Sequence, residues 1–293
     1  MIPAEVIQKI RRLQITTSRQ VTEVFAGHYR SVFRGKGMEF EEVREYAPGD
    51  DVRSIDWNVT ARTGRLYVKR FAEERELTVM LLLDLSPSLC FGTVRQLKSQ
   101  LAARLCGLLS FCAIRNNDRI GLILFTDQVE KFVPPEKGLG HVLRILKEAL
   151  YFSPRGKGTN ISAPLEYLNR VLKRRTVTFI LSDFHASHFE RALSVARRRH
   201  DLVAITFTDP FELTLPRIGI VKLDDPETGQ SFLIDTSDEL LRNEYRKNAR
   251  ERAEERKRLF RSSHVDHIDL RTDAPYLPVL IKFFRMRERR YGR

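Results

Sequence analysis

The feature that most constrains the fold is an unbroken apolar run that ends on a carboxylate. Thr78 is followed by Val79, Met80, Leu81, Leu82 and Leu83, and then by Asp84. Consecutive apolar residues leave no polar face, so a strand built from them must be covered on both sides. The run falls far short of the roughly 18 residues that mark a membrane span. A second run of strand length, Thr176 to Leu181, leads into Ser182 and Asp183. Two doubly covered strands, each with an acid at its carboxyl end, point to a parallel α/β sheet. Ligands of such sheets bind outside the carboxyl ends of the strands, so chemistry is sought around Asp84 and Asp183.

The flanking pattern agrees. Helices are predicted at about 93–115, 139–151, 161–174 and 186–199. Strands are predicted at 119–125, 129–133 and 202–207, with Thr126, Asp127 and Gln128 as a hairpin turn. Beyond them lie a hairpin over 218–234, a helix over 237–262, a strand over 265–270 and a helix over 275–289. Alternation at these lengths predicts a mainly parallel sheet with helices on both faces. Upstream, residues 4–26 read as helix, and residues 30–75, with Gly35, Gly37, Pro48, Gly49 and Gly64, read as hairpins and turns. The expected division is an N-terminal helix with a β-rich extension over 1–76, then an α/β domain with a C-terminal helical elaboration over 77–293.

Three segments would meet at one sheet edge. Asp84-Leu85-Ser86-Pro87-Ser88 leaves the first core strand, Gly156-Lys157-Gly158-Thr159-Asn160 enters a helix, and Leu181-Ser182-Asp183 leaves the next core strand. The hydroxyls of Ser86, Ser88 and Thr159 and the carboxylates of Asp84 and Asp183 are hard oxygen ligands, suited to Mg²⁺ or Mn²⁺ and not to zinc or copper. Neutral hydroxyls leave most of the ion's charge unquenched, and carboxylates can act through water. A vacant coordination position would then attract a carboxylate from a protein partner. The competing local reading is that Asp84 and Ser88 cap the following helix.

This five-residue pattern resembles the metal ion-dependent adhesion site of von Willebrand factor A domains. The resemblance implies Ser86 and Ser88 as direct ligands, Thr159 as a direct or water-bridged ligand, and Asp84 and Asp183 largely behind them. It also implies a Rossmann-like sheet. A second resemblance covers residues 34–91. Gly37-x-Glu39-Phe40, Arg44-x-Tyr46-x-x-Gly49-Asp50-Asp51, Arg53-x-Ile55-Asp56-Trp57 and Ala61-Arg62 are similar to the signature of the bacterial family called domain of unknown function 58. That family joins such a segment to an A-type domain. Its members often accompany MoxR-type AAA+ ATPases, which implies a helper in assembling or activating other proteins. Many members carry two N-terminal membrane helices; no comparable run occurs here.

Charge leaves other readings open. The net charge is +13, which permits an anionic partner. Arg242 to Arg261 holds nine Lys/Arg against four Glu, so much of the excess is C-terminal. A nucleic-acid role through that region lacks a recognised motif, while peripheral contact with an anionic membrane stays open. The cysteines Cys90, Cys106 and Cys112 form no CxxC, which suits a reducing, cytoplasmic setting. Gly156-Lys157-Gly158-Thr159 is not a phosphate loop, because Lys157 is followed by Gly158. A metal-dependent phosphoesterase using Asp84 is the enzymatic alternative. Its usual second acid, two residues on, is Ser86 here, and no complete catalytic constellation is present. His185 and His188 after Asp183 read as solvated residues at a helix start, and His264 and His267 as flanking a strand. Arg44, Asp50, Asp51, Arg53 and Asp56 are expected to form a salt-bridge network around Trp57. The expected function is a non-enzymatic, metal-dependent protein-interaction module.

Overall fold

The computed structural model describes Tyr29 and residues 39–72, 76–224 and 230–291; the helix expected over 4–26 lies outside them. The chain divides into two compact units, one over 33–77 and one containing 78–293 together with Tyr29.

In the smaller unit, β1 (Glu39–Glu45) pairs antiparallel with β2 (Tyr67–Ala72), Glu45 lying opposite Tyr67. Between them stands a helix, α1 (Trp57–Thr63), where only turns and hairpins were expected. Two turns of helix are too short to show a period. What makes them is local: the Asp56 carboxylate accepts the N–H groups of Asn58 at 3.0 Å and Val59 at 3.3 Å, and Gly64 closes the helix at φ 70°. The expected charge network is also different. Arg44 pairs with Asp50 at 2.6 Å, but Asp51 turns to the N–H of Arg53, and Trp57 is 64% exposed. These acids cap and shape turns, which short loops rich in unpaired N–H groups require.

The larger unit is built on a six-stranded sheet in the order β10-β7-β6-β3-β4-β5. Its strands are β3 (Thr78–Asp84), β4 (Arg119–Phe125), β5 (Val129–Glu136), β6 (Val177–Ser182), β7 (Asp201–Thr208) and β10 (Asp266–Arg271). All pairs are parallel except β4 with β5, a hairpin through residues 126–128. This is the expected von Willebrand factor A-like arrangement. The chain runs from β3 to β4 on one side, then crosses back to β6 on the other. β3 is therefore the point at which strand order reverses, where open α/β sheets place their ligands.

Helices cover both faces. α2 (Lys98–Arg115) is the most buried, with Leu101, Leu105, Leu108, Leu109 and Cys112 at helical spacing inside. α3 (Leu139–Tyr151) packs beside it. On the opposite face, Met80, Leu82, Ile123 and Ile180 pack with Leu165 and Leu168 of α4 (Ser162–Val171) and Leu193 and Ala196 of α5 (Glu190–Arg199). Phe260, from a long helix nearer the C-terminus, joins that core.

A one-turn helix, α6 (Pro210–Leu213), follows β7 and is set by a reciprocal cap between Asp209 and Glu212. β8 (Ile220–Asp224) and β9 (Ser231–Asp235) form the expected separate hairpin. α7 (Glu239–Ser262), capped by Asp238, buries Ala249 and Phe260. α8 (Tyr276–Tyr291) ends the described chain, its Phe284 meeting Tyr29 edge-on. Among the described residues no helix is long and apolar enough to cross a membrane, and Cys90, Cys106 and Cys112 are free thiols.

Candidate metal centre

Register brings the motif together. β3 lies between β4 and β6, with Asp84 beside Phe125 and Leu83 beside Leu181. Asp84 and Ser182 thus end neighbouring strands at one level. The Asp84 carboxylate is fully buried and held at both oxygens: Ser86 N–H donates to Oδ1 at 2.8 Å and the Ser182 hydroxyl to Oδ2 at 2.6 Å. Asp84 caps no helix. The chain leaves β3 through a 3₁₀ turn (Pro87–Cys90), and α2 starts only at Lys98. The turn orients Ser86 and Ser88 so that their Oγ atoms lie 3.0 Å apart, and Ser88 lies close enough to Asp183 to hold its carboxyl pKa down.

Thr159 reaches this edge by a different route. The backbone N–H of Asn160 donates to Thr126 O, just past β4, at 2.9 Å. Glu130 accepts the N–H groups of Arg155 at 3.0 Å and Gly156 at 2.7 Å, and the Thr126 hydroxyl at 2.8 Å. The loop lies so close to the hairpin that a Cβ on Gly156 would stand 1.9 Å from Asp127 Oδ1. Asn160 then caps α4 through Ser162 and Ala163. Asp84, Ser86, Ser88 and Asp183 form one linked set, and the half-buried Thr159 is carried to the same sheet edge by its clamped loop.

The electrostatics are asymmetric. Burial, and then the nearby charge of Asp183, push the Asp84 carboxyl up to about 7. Asp183 is equally buried, which by itself would raise it, but Lys98, His185 and Ser88 bring it below the usual carboxylate range. Lys98 is the unexpected member. Its side chain is fully buried, with Nζ 2.7 Å from Asp183 Oδ2 and 2.6 Å from Glu212 Oε1. Burial alone would lower the pKa of the ammonium, but the two carboxylates outweigh it and raise the pKa. α7 contributes as well: Arg256 donates to the carbonyl of Asp183 at 3.3 Å.

Residues 42–255 match the family described as "Protein of unknown function DUF58". The chain belongs to this family. An uncharacterised protein of Mycobacterium tuberculosis is 31% identical over 285 residues, which is 96% of this chain and 89% of that protein. Among solved structures, an aerotolerance-related membrane protein from Bacteroides fragilis aligns at 16% identity and a TM-score of 0.47, over 73% of this chain and 99% of that one. The VWA domain of SpRpn10 aligns at 12% identity and a TM-score of 0.37, over 71% and 94%.

The donor set of this DUF58 chain fits a small divalent cation. Adjacent corners of an octahedron with bonds of about 2.0–2.1 Å are separated by about 2.9 Å, and the serine oxygens lie 3.0 Å apart. Asp84 and Asp183 flank them as the only charged members of the motif. Sequence reading missed Lys98, Ser182, Glu212 and Arg256. A signal for Lys98 was present: it occupies the buried phase of α2 with Leu101, Ala102 and Leu105, where an unpaired lysine would be very costly. Glu212 had only a weak signal, the Asp209-Pro210-Phe211-Glu212 cap pattern. His185 is exposed, as expected, but it lies in the loop before α5 rather than at a helix start, and approaches Asp183 at 3.8 Å. His267 lies within β10 rather than beside it, bonded to Thr206 at 2.8 Å.

Proposed function

We propose that this chain is a non-enzymatic protein-interaction module that captures a partner through a divalent cation, Mg²⁺ or Mn²⁺. Ser86 and Ser88 would hold the ion directly, Thr159 directly or through water, and Asp84 and Asp183 from behind. When bound, the ion would supply Lewis acidity with a coordination position open to a partner's carboxylate. The single observation that carries this reading is the 3.0 Å pair of serine hydroxyls backed by two buried carboxylates at the strand-order reversal. The enzymatic alternative finds less support. Both oxygens of Asp84 already accept hydrogen bonds, and Ser86 stands where a second acid would be needed. Membership of the DUF58 family favours a MoxR-type AAA+ ATPase as the partner machine, with the chain as adaptor, and the free thiols of Cys90, Cys106 and Cys112 suit the cytoplasm as its place of work.

The test is partner capture from cell extract by the immobilised chain, with and without EDTA, alongside Asp84→Ala and Ser88→Ala. Capture should require the ion and be lost in both variants, while circular dichroism shows them folded. Retention unchanged by EDTA and by both substitutions would remove the metal from the binding role. Phosphoester turnover that vanishes in Asp84→Ala would move the chain to the enzymes.

A further inference from the structure

Lys98 belongs to no part of the five-residue motif, yet it touches the motif's most buried charge. Its position is unfavourable three times over. The side chain is fully buried, it carries a positive charge, and it sits in the first turn of α2, where the helix dipole favours anions. Two carboxylates compensate: Asp183 from the end of β6 at 2.7 Å and Glu212 from α6 at 2.6 Å. The N–H of Lys98 is tied to Phe91 O at 2.9 Å, and its Nζ lies 5.9 Å from the centre of the Phe91 ring. An ammonium fixed this firmly is a permanent cation of the site.

Asp183 therefore faces two ways. Oδ2 serves Lys98 and Oδ1 accepts the N–H of His185 at 3.2 Å, while Ser88 lies close enough to the carboxylate to hold its pKa down. A cation held by Ser86 and Ser88 would share Asp183 with the ammonium, and two cations on one carboxylate repel in a poorly screened interior. Glu212 works in the opposite sense. It draws the ammonium toward α6 and so leaves more of the Asp183 charge for the serine side.

We infer that Lys98 and Glu212 together set the cation affinity of the serine site, Lys98 lowering it and Glu212 raising it. This rests on the metal reading of Ser86, Ser88 and Asp183. Affinity kept low by Lys98 would make a partner's added carboxylate necessary for firm binding, so that cation and partner bind cooperatively.

The test is direct titration of the full chain with Mn²⁺, followed by the electron paramagnetic resonance of the free ion. Lys98→Met should tighten binding about ten-fold or more, Glu212→Gln should weaken it by a similar factor, and Lys98→Arg should stay near the parent. Opposite signs are the decisive result, because loss of structure alone would weaken both. If Lys98→Met does not fold, Glu212→Gln and Lys98→Arg carry the test. Parent binding with Lys98→Met equal or weaker, or with Glu212→Gln unchanged, overturns the role of Lys98 and leaves the metal reading standing. Binding by neither the parent nor any variant overturns both.

Discussion

Ser182 donates its hydroxyl to Asp84 at 2.6 Å and in turn accepts the N–H of Phe184 at 2.9 Å, joining the ends of β3 and β6. Phe184 has φ 57°, so this bond helps hold a backbone that a bulky residue rarely adopts. Removing the hydroxyl leaves a buried acceptor short of a donor. Ser182→Ala should lower stability by about 1–3 kcal/mol, measured by urea unfolding, and weaken Mn²⁺ binding while leaving Ser86 and Ser88 intact.

Gly156 has no room for a side chain. Its Cβ would meet Asp127 Oδ1 at 1.9 Å and Thr126 Oγ1 at 2.1 Å. Gly156→Val should therefore lift the Thr159 loop from the β4–β5 hairpin. The expected signs are a loss of about 1–3 kcal/mol and faster amide exchange over residues 155–160. Exchange unchanged from the parent would show that the Asp127 and Thr126 side chains turn aside and leave the loop seated.

Asp209 gathers the segment before α2. It accepts the N–H and hydroxyl of Thr93 at 3.0 and 2.5 Å, the hydroxyl of Thr272 at 2.7 Å and the N–H of Phe211 at 3.0 Å. Asp209→Ala should cost about 2–4 kcal/mol. Because the Glu212 cap depends on the same carboxylate's turn, proteolysis should then open the 91–97 loop first.

His200 should make the fold sensitive to acid. Its ring is 1% exposed, with Nδ1 3.0 Å from Thr176 Oγ1. Burial, then Arg199 and Arg175, depress its pKa from 6.5 to about 4. The folded state thus resists a proton that the unfolded state accepts. Its contribution is complete above pH 6.5 and is lost as pH falls from there toward 4, with about 1.4 kcal/mol at stake per pH unit. His267, also depressed to about 4 by burial, acts in the same direction. His200→Gln should flatten the stability profile between pH 6.5 and 4, read from urea midpoints across that range. An unchanged slope would show that His200 is not the group responsible.

The sheet was legible because its evidence is continuous along the chain. Residues 78–83 and 176–181 are largely apolar runs that lead to the acids Asp84 and Asp183, and no polar face means cover on both sides. Only β5 extended well beyond its expected bounds, to Glu136, since Pro134 and Pro135 conceal an edge strand. α1 and α6 escaped notice because one or two turns carry no period and are created by their caps, Asp56 and Asp209.

The sequence by itself determined the architecture and the oxygen-rich character of the site, because strand-end motifs travel with their strands. Asp84, Ser86 and Ser88 are neighbours in any fold that contains them. Tertiary structure alone decided which charges face one another. Lys98 and Asp183 are 85 positions apart, and Lys98 and Glu212 are 114 apart. Their meeting depends on α2, the end of β6 and α6 converging on one edge. No local pattern encodes that convergence, yet the interior, where charges are desolvated and strongly coupled, gives it the greatest energetic weight.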